Sequence, residues 1–220
     1  MLFWICFSIV FLPLVILFPI KKIGKKNLKE LKGKNYILAC NHTSNMDAVM
    51  LDITFGKKFR YLAKKELCQK KLSKAFLLEL GAVPVDRSHA DPKAIKEIFR
   101  LIDKNKKIAI FPQGTRAKTI KIEEGSAKEG VALFSIRTNT PVLPVMFDRK
   151  LKLFHRAKLY IGEPIYPDAT RKKDKEYLSE LANTIIEKMN GLIEDKDIVL
   201  EEKKNLLEGE NKQWKWKILI

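Results

Sequence analysis

Short apolar runs recur along this chain, separated by polar stretches with helical spacing. Tyr36–Cys40, Lys107–Phe111 and Pro141–Phe147 are too short for helices and end in polar or turn residues, as strands buried on both faces do. Tyr61–Leu67 reads as a strand ending in a polar turn, Gly81–Arg87 as a short strand and turn, and 157–161 as a final strand. Helical patterns lie between them. Asp91-Pro92 supplies an N-cap and a first-turn proline. Ile95, Ile98, Phe99 and Ile102 then follow the spacing of one buried helix face. Further helices are expected from Leu67 to about Leu80, over 126–138, and from Lys172 to about Leu207, where Tyr177, Leu178, Leu181, Ile185 and Met189 form an apolar stripe. Strands alternating with helices predict an α/β domain with a mostly parallel sheet flanked by helices.

The first twenty residues break this rhythm. From Leu2 to Ile20 there is no charged residue, and a helix of that length reaches roughly 28 Å, about one hydrocarbon thickness. Pro13 and Pro19 interrupt it, so a bent segment in the interface is as consistent as a span. Lys21, Lys22, Lys25 and Lys26 follow the run rather than precede it, and no small-residue cleavage site is evident. The segment reads as a retained, membrane-anchoring helical segment, with the lysines holding the next domain on the cytoplasmic side. A short helix is expected near Leu28 and Leu31. The chain thus divides into an anchor and basic connector (1–35), an α/β domain (36–171), and a charged C-terminal helix with a basic, aromatic tail (172–220).

Composition narrows the function classes. The sequence is 46% hydrophobic, enough for a core, and carries 43 Lys and Arg against 26 Asp and Glu, a formal charge of +17. That excess suits an anionic partner: a membrane surface, an acidic carrier or substrate, or nucleic acid. No zinc-ligand spacing, helix-turn-helix signature or aromatic RNA motif supports nucleic acid. Three cysteines without metal-like spacing suggest reduced thiols. Cys40 lies in an apolar run and reads as a core residue rather than a nucleophile.

Candidate chemistry gathers in two segments. Asn41-His42-Thr43-Ser44-Asn45-Met46-Asp47 follows the first buried strand. His42 and Asp47 suit a general base and its orienting carboxylate, provided His42 stays on the loop before a helix begins. A plainer reading remains beside it: Ser44 and Asp47 match a capping box. The second segment, Gly114-Thr115-Arg116, follows another buried strand; glycine admits close backbone approach, and arginine grips phosphate or carboxylate. His89, in a polar loop, and His155 show no partner in the sequence and read as solvated or structural.

Four blocks in order resemble the glycerolipid acyltransferase family: Asn41-His42 through Asp47 as a His-x4-Asp motif; Gly81 to Arg87; Phe111-Pro112-Gln113-Gly114-Thr115-Arg116; and Pro141-Val142-Leu143-Pro144-Val145. Lys128-Glu129-Gly130 and Gly162-Glu163-Pro164 also fit, and the resemblance runs from about residue 36 to 167. It implies acyl transfer to 1-acylglycerol-3-phosphate, giving phosphatidic acid in phospholipid synthesis. His42 and Asp47 are then catalytic, and Gly114, Thr115, Arg116, Arg87 and Gln113 bind substrate. Neither a metal nor a resident cofactor is implied; acyl-CoA or acyl carrier protein serves as donor, and membrane lipids and a lysophospholipid acceptor are the other partners. Gln113 departs from the family's usual glutamate, which bears on the choice of acceptor. Acylation of a different lysolipid, or a catalytically weak, membrane-anchored basic binding protein, are the alternative readings.

Overall fold

The computed structural model describes residues 13–69, 71–86, 91–123 and 129–194. Arg87, His89, Lys128 and the tail beyond residue 194 lie outside them, as do residues 1–12. Seven strands form one sheet: β1 (Ile20–Ile23), β2 (Ile37–Cys40), β3 (Arg60–Lys64), β4 (Ala82–Val85), β5 (Ile108–Ile110), β6 (Val142–Phe147) and β7 (Ala157–Ile161), in the order β1-β7-β6-β2-β5-β3-β4. β6, β2, β5, β3 and β4 are mutually parallel. β7 runs against β6, and β1 runs parallel to β7. The helices are α1 (Met46–Phe55), α2 (Lys71–Glu79), α3 (Pro92–Asp103), α4 (Gly130–Thr138) and α5 (Lys175–Asn190).

β2 lies at the centre and is buried along its whole length. Its alternation sorts side chains to two faces. Ile37 and Ala39 join a core with α3, α4 and α5, including Ile98, Phe134 and Ile185. Leu38 and Cys40 join a second core with α1, including Met50, Leu51, Phe59 and Phe147. Continuous apolar runs in the central strands follow from this cover on both faces. The prolines within strands sit where no ladder N–H is required. Pro84 is on the edge strand β4, and β7 pairs with β6 only from Val145 onward, one residue past Pro144. The expected cap of α3 is present, with Asp91 Oδ1 accepting from the backbone N–H groups of Lys93 and Ala94, each at 3.1 Å.

The N-terminal reading changes. Ile20–Ile23 is an edge strand, although Ile-Lys-Lys-Ile offers no apolar alternation. Lysines suit an edge, where they discourage pairing with another chain. Among the described residues 13–17 form a helical turn before it, and no helix among them is long and apolar enough to cross a membrane. The membrane-anchoring helix over 1–20 therefore stays an expectation from the sequence.

Asp52 ties α1 to the sheet. Its buried Oδ1 accepts from the Phe59 N–H at 3.0 Å and the Tyr61 hydroxyl at 2.6 Å. Burial pushes the carboxyl up to about 6, against the pull of those two hydrogen bonds and of Lys58 and Arg60. A raised carboxyl favours the folded state at low pH, below the ordinary value of 3.8, and loses that contribution as pH rises through about 6. Asp52→Asn keeps an acceptor without the charge. It should gain about 3 kcal/mol of stability relative to the parent between pH 4 and pH 7, read from denaturant unfolding of both proteins across that range.

Candidate active site

β2 delivers Asn41 and His42 to the carboxyl edge of the sheet, and Asn41 is what fixes the loop there. Its side-chain carbonyl accepts from Phe147 N–H at 2.9 Å, and its amide donates to Phe147 O at 3.0 Å and Ile120 O at 3.2 Å. One buried side chain thus joins the ends of β2 and β6 to the segment after β5. Nothing in the sequence assigned Asn41 this duty; an amide directly after a fully apolar strand was the available signal.

The backbone then turns before α1 begins at Met46, leaving His42 on the loop. Asp47, in the first turn of α1, is wholly buried. Its Oδ2 takes three contacts: His42 Nδ1 at 3.0 Å, Thr43 N at 2.7 Å and Ser44 N at 2.8 Å. Two of these are backbone N–H groups, which can only donate, so the oxygen acts as an acceptor throughout. His42 Nδ1 must then carry the proton, which leaves Nε2 with its lone pair. The capping-box reading is half met. Asp47 reaches back to Ser44 N–H, but Ser44 Oγ accepts from Met46 N–H at 3.2 Å instead of from Asp47 N–H. Asp47 Oδ1 and Thr43 Oγ1 are buried without a hydrogen-bond partner.

The imidazole stacks on Phe111, with ring centroids 4.0 Å apart and planes at 18°. Tyr61, held by Asp52, stacks on Phe111 in turn at 6.1 Å. The His42 side chain keeps 18% of its surface exposed beside a wholly buried partner, so the dyad meets solvent through His42 alone. Cys40 is excluded as a nucleophile: burial pushes its thiol well up, and the Asp47 charge adds to that.

The second segment meets the first at His42. Gln113 Oε1 accepts from His42 N–H at 2.8 Å, and Ala117 N–H donates to His42 O at 2.8 Å. Gly114, Thr115 and Arg116 are therefore bracketed by two hydrogen bonds to one residue. Phe111 to Gly114 closes a turn through Gly114 N–H and Phe111 O at 2.9 Å, and Gly114 has φ +68°, which favours glycine. Thr115 and Arg116 are exposed. Arg87 lies outside the described residues. Among the described residues, no group of three or more His, Cys, Asp or Glu side chains gathers as metal ligands. A cavity of about 510 Å³, lined by Lys22, Tyr36, Lys57 and Lys107 among others, opens near the amino ends of β2 and β5, away from the dyad.

The pattern of the family described as Acyltransferase matches residues 19–148. The chain belongs to the acyltransferase family. A 1-acyl-sn-glycerol-3-phosphate acyltransferase of Bacillus subtilis is 29% identical over 180 residues, covering 79% of this chain and 87% of the relative. One of the same name from Streptococcus pneumoniae is 28% identical over 161 residues, covering 70% of this chain and 59% of the relative. The fold is that of the crystal structure of the 1-acyl-sn-glycerophosphate acyltransferase, PlsC, from Thermotoga maritima. That likeness has TM-score 0.59 and 23% identity, over 79% of this chain and 70% of that one.

Within this family setting the Gln113 tether makes a test. Gln113→Leu leaves the His42 N–H without its acceptor and should cost about 1–3 kcal/mol. Gln113→Glu retains an acceptor oxygen and should change stability by less than about 1 kcal/mol. Chemical denaturation of the two variants beside the parent separates the outcomes.

Proposed function

We propose that this protein transfers a fatty acyl group from a thioester, acyl-CoA or acyl carrier protein, to the free hydroxyl of 1-acylglycerol-3-phosphate at a membrane surface, giving phosphatidic acid. The observation that carries the reading is the His42 Nδ1–Asp47 Oδ2 pair at 3.0 Å, which frees Nε2 as a base beside a glycine-arginine loop. The relatives named for this reaction support the choice of acceptor.

The acceptor hydroxyl oxygen attacks the thioester carbonyl as its proton passes to His42 Nε2. Asp47, already holding Nδ1–H, stabilises the imidazolium and prevents the ring from turning. The tetrahedral intermediate collapses to the ester, the carbon–sulfur bond breaks, and the leaving thiolate takes the proton from Nε2. No protein nucleophile is required, which agrees with Cys40 being locked in the core. Thr115 and Arg116, with the Gly114 backbone, present donors to the acceptor phosphate next to the base. Arg87 is a second phosphate ligand in this reading. The uncharged run from Leu2 to Ile20, followed by lysines, supports a membrane location with the catalytic domain on the cytoplasmic side.

Incubating the full chain with lysophosphatidic acid and labelled acyl-CoA or acyl carrier protein tests the reading by formation of labelled phosphatidic acid. His42→Ala should lower kcat by about 10²–10⁴; full activity would sink the base assignment. Asp47→Asn puts an amide N–H₂ where the buried, unpartnered Oδ1 now lies, and should lower kcat by about a thousandfold. Arg116→Ala should raise KM for the acceptor by about 10- to 100-fold with little change in kcat. An unchanged KM would remove Arg116 from the phosphate site.

A further inference from the structure

Among the described residues, seven large apolar side chains are exposed, and four of them meet in one place. Val15 and Ile16 lie on the helical turn 13–17, and Leu153 and Phe154 form the tip of the loop between β6 and β7. The turn docks Leu14 and Phe18 on the α1-side core, which leaves Val15 and Ile16 facing out. The two pieces are joined by backbone: Phe154 N–H donates to Leu17 O at 2.6 Å, and Ala157 N–H to Pro19 O at 2.9 Å. Phe154 is 72% exposed and Ile16 is 69% exposed. Phe154 also has φ +61°, a conformation that a bulky side chain rarely adopts. The chain therefore holds Phe154, the most exposed of the large apolar side chains among the described residues, in a strained backbone where a turn former would sit without strain.

Topology places this patch. β6 is parallel to β2, so the loop after Phe147 leaves the same sheet edge from which β2 delivers His42. β1 runs opposite to β6, so the residues before Ile20 reach that edge too. Two exposed cations, Lys150 and Arg156, flank the tip on the loop. Val15 and Ile16 continue the uncharged run from Leu2 to Ile20. An apolar tip flanked by two cations, continuous with an uncharged segment, is complementary to an anionic lipid surface, where rings enter the interface and lysines and arginines meet the head groups.

We infer that the β6–β7 loop is a second membrane contact, with Leu153 and Phe154 entering the interface of an anionic bilayer beside Val15 and Ile16, so that the His42 edge faces the lipid. This goes beyond the N-terminal run alone. It rests on the proposed lipid reaction only for its purpose, since lipid contact is measured without acyl transfer.

The test attaches an environment-sensitive fluorophore to the full chain carrying Phe154→Cys, with Cys6→Ser and Cys68→Ser; Cys40 is buried. Asp103→Cys, exposed at the amino edge of β5, is the control position. On adding phosphatidylglycerol vesicles, the label at position 154 should shift to the blue and be quenched at least threefold by a lipid-borne quencher, while that at 103 stays in water. A 154 label that remains in water with vesicle-bound protein overturns the proposal. So does a label already shielded before lipid is added, which would assign the patch to a second copy or to another segment of this chain. Lys150→Gln with Arg156→Gln should weaken insertion roughly thirtyfold; equal insertion into phosphatidylcholine and phosphatidylglycerol vesicles overturns the role of the cations. Insertion without any acyl transfer would fault the reaction and leave this contact standing.

Discussion

Asp47 Oδ2 is the point on which the site depends. Three donors converge on it, two from the backbone of the preceding turn and one from His42. A carboxylate with no exposed surface must be compensated by such donors, and here they also define the shape of the loop. The same atom thus stops helix α1 from starting earlier, keeps His42 off the helix and selects its tautomer. A histidine five residues before an aspartate on a continuous helix would lie about 140° away from it, taking ~100° per residue. The turn is therefore a condition of the chemistry.

Around that point the fold uses neutral polar contacts rather than ion pairs. Asn41 joins β2, β6 and the segment after β5, and Gln113 joins the turn after β5 to the backbone of His42. The neutrality of Gln113 has a physical reading: its role in this structure is to accept one backbone N–H, which an amide oxygen does as well as a carboxylate. The stack Tyr61–Phe111–His42 adds a third support, from the side of α1 and Asp52. Packing Phe111 against the ring face fixes the plane of the imidazole, and with it the direction of the in-plane Nε2 lone pair.

Much of this was legible in the sequence. The buried strands announced themselves because parallel strands covered on both faces need unbroken apolar runs, and Asp91-Pro92 marked its helix by cap chemistry. His42 and Asp47 stood out because their residue types and spacing suit a base dyad. Strand β1 was hidden, since an edge strand, free of the need for burial on both faces, carries lysines where a central one carries valine or isoleucine. Asn41 and Phe111 were hidden for another reason. Their partners are about seventy or more residues away, at Phe147, Ile120 and His42, and only folding brings them together. Arg87, read as a phosphate ligand, falls in the stretch 87–90 that the structure does not describe.

The direct passage from Pro19 into β1 gives the N-terminal run a mechanical meaning. Ile20 is already in register with Ala157, so no slack separates residue 19 from the sheet. Any pull on residue 19 therefore passes directly into the edge of the sheet, through the pairing of β1 with β7. At a membrane surface, as proposed, the acceptor would reach His42 by diffusion within the plane of the lipid.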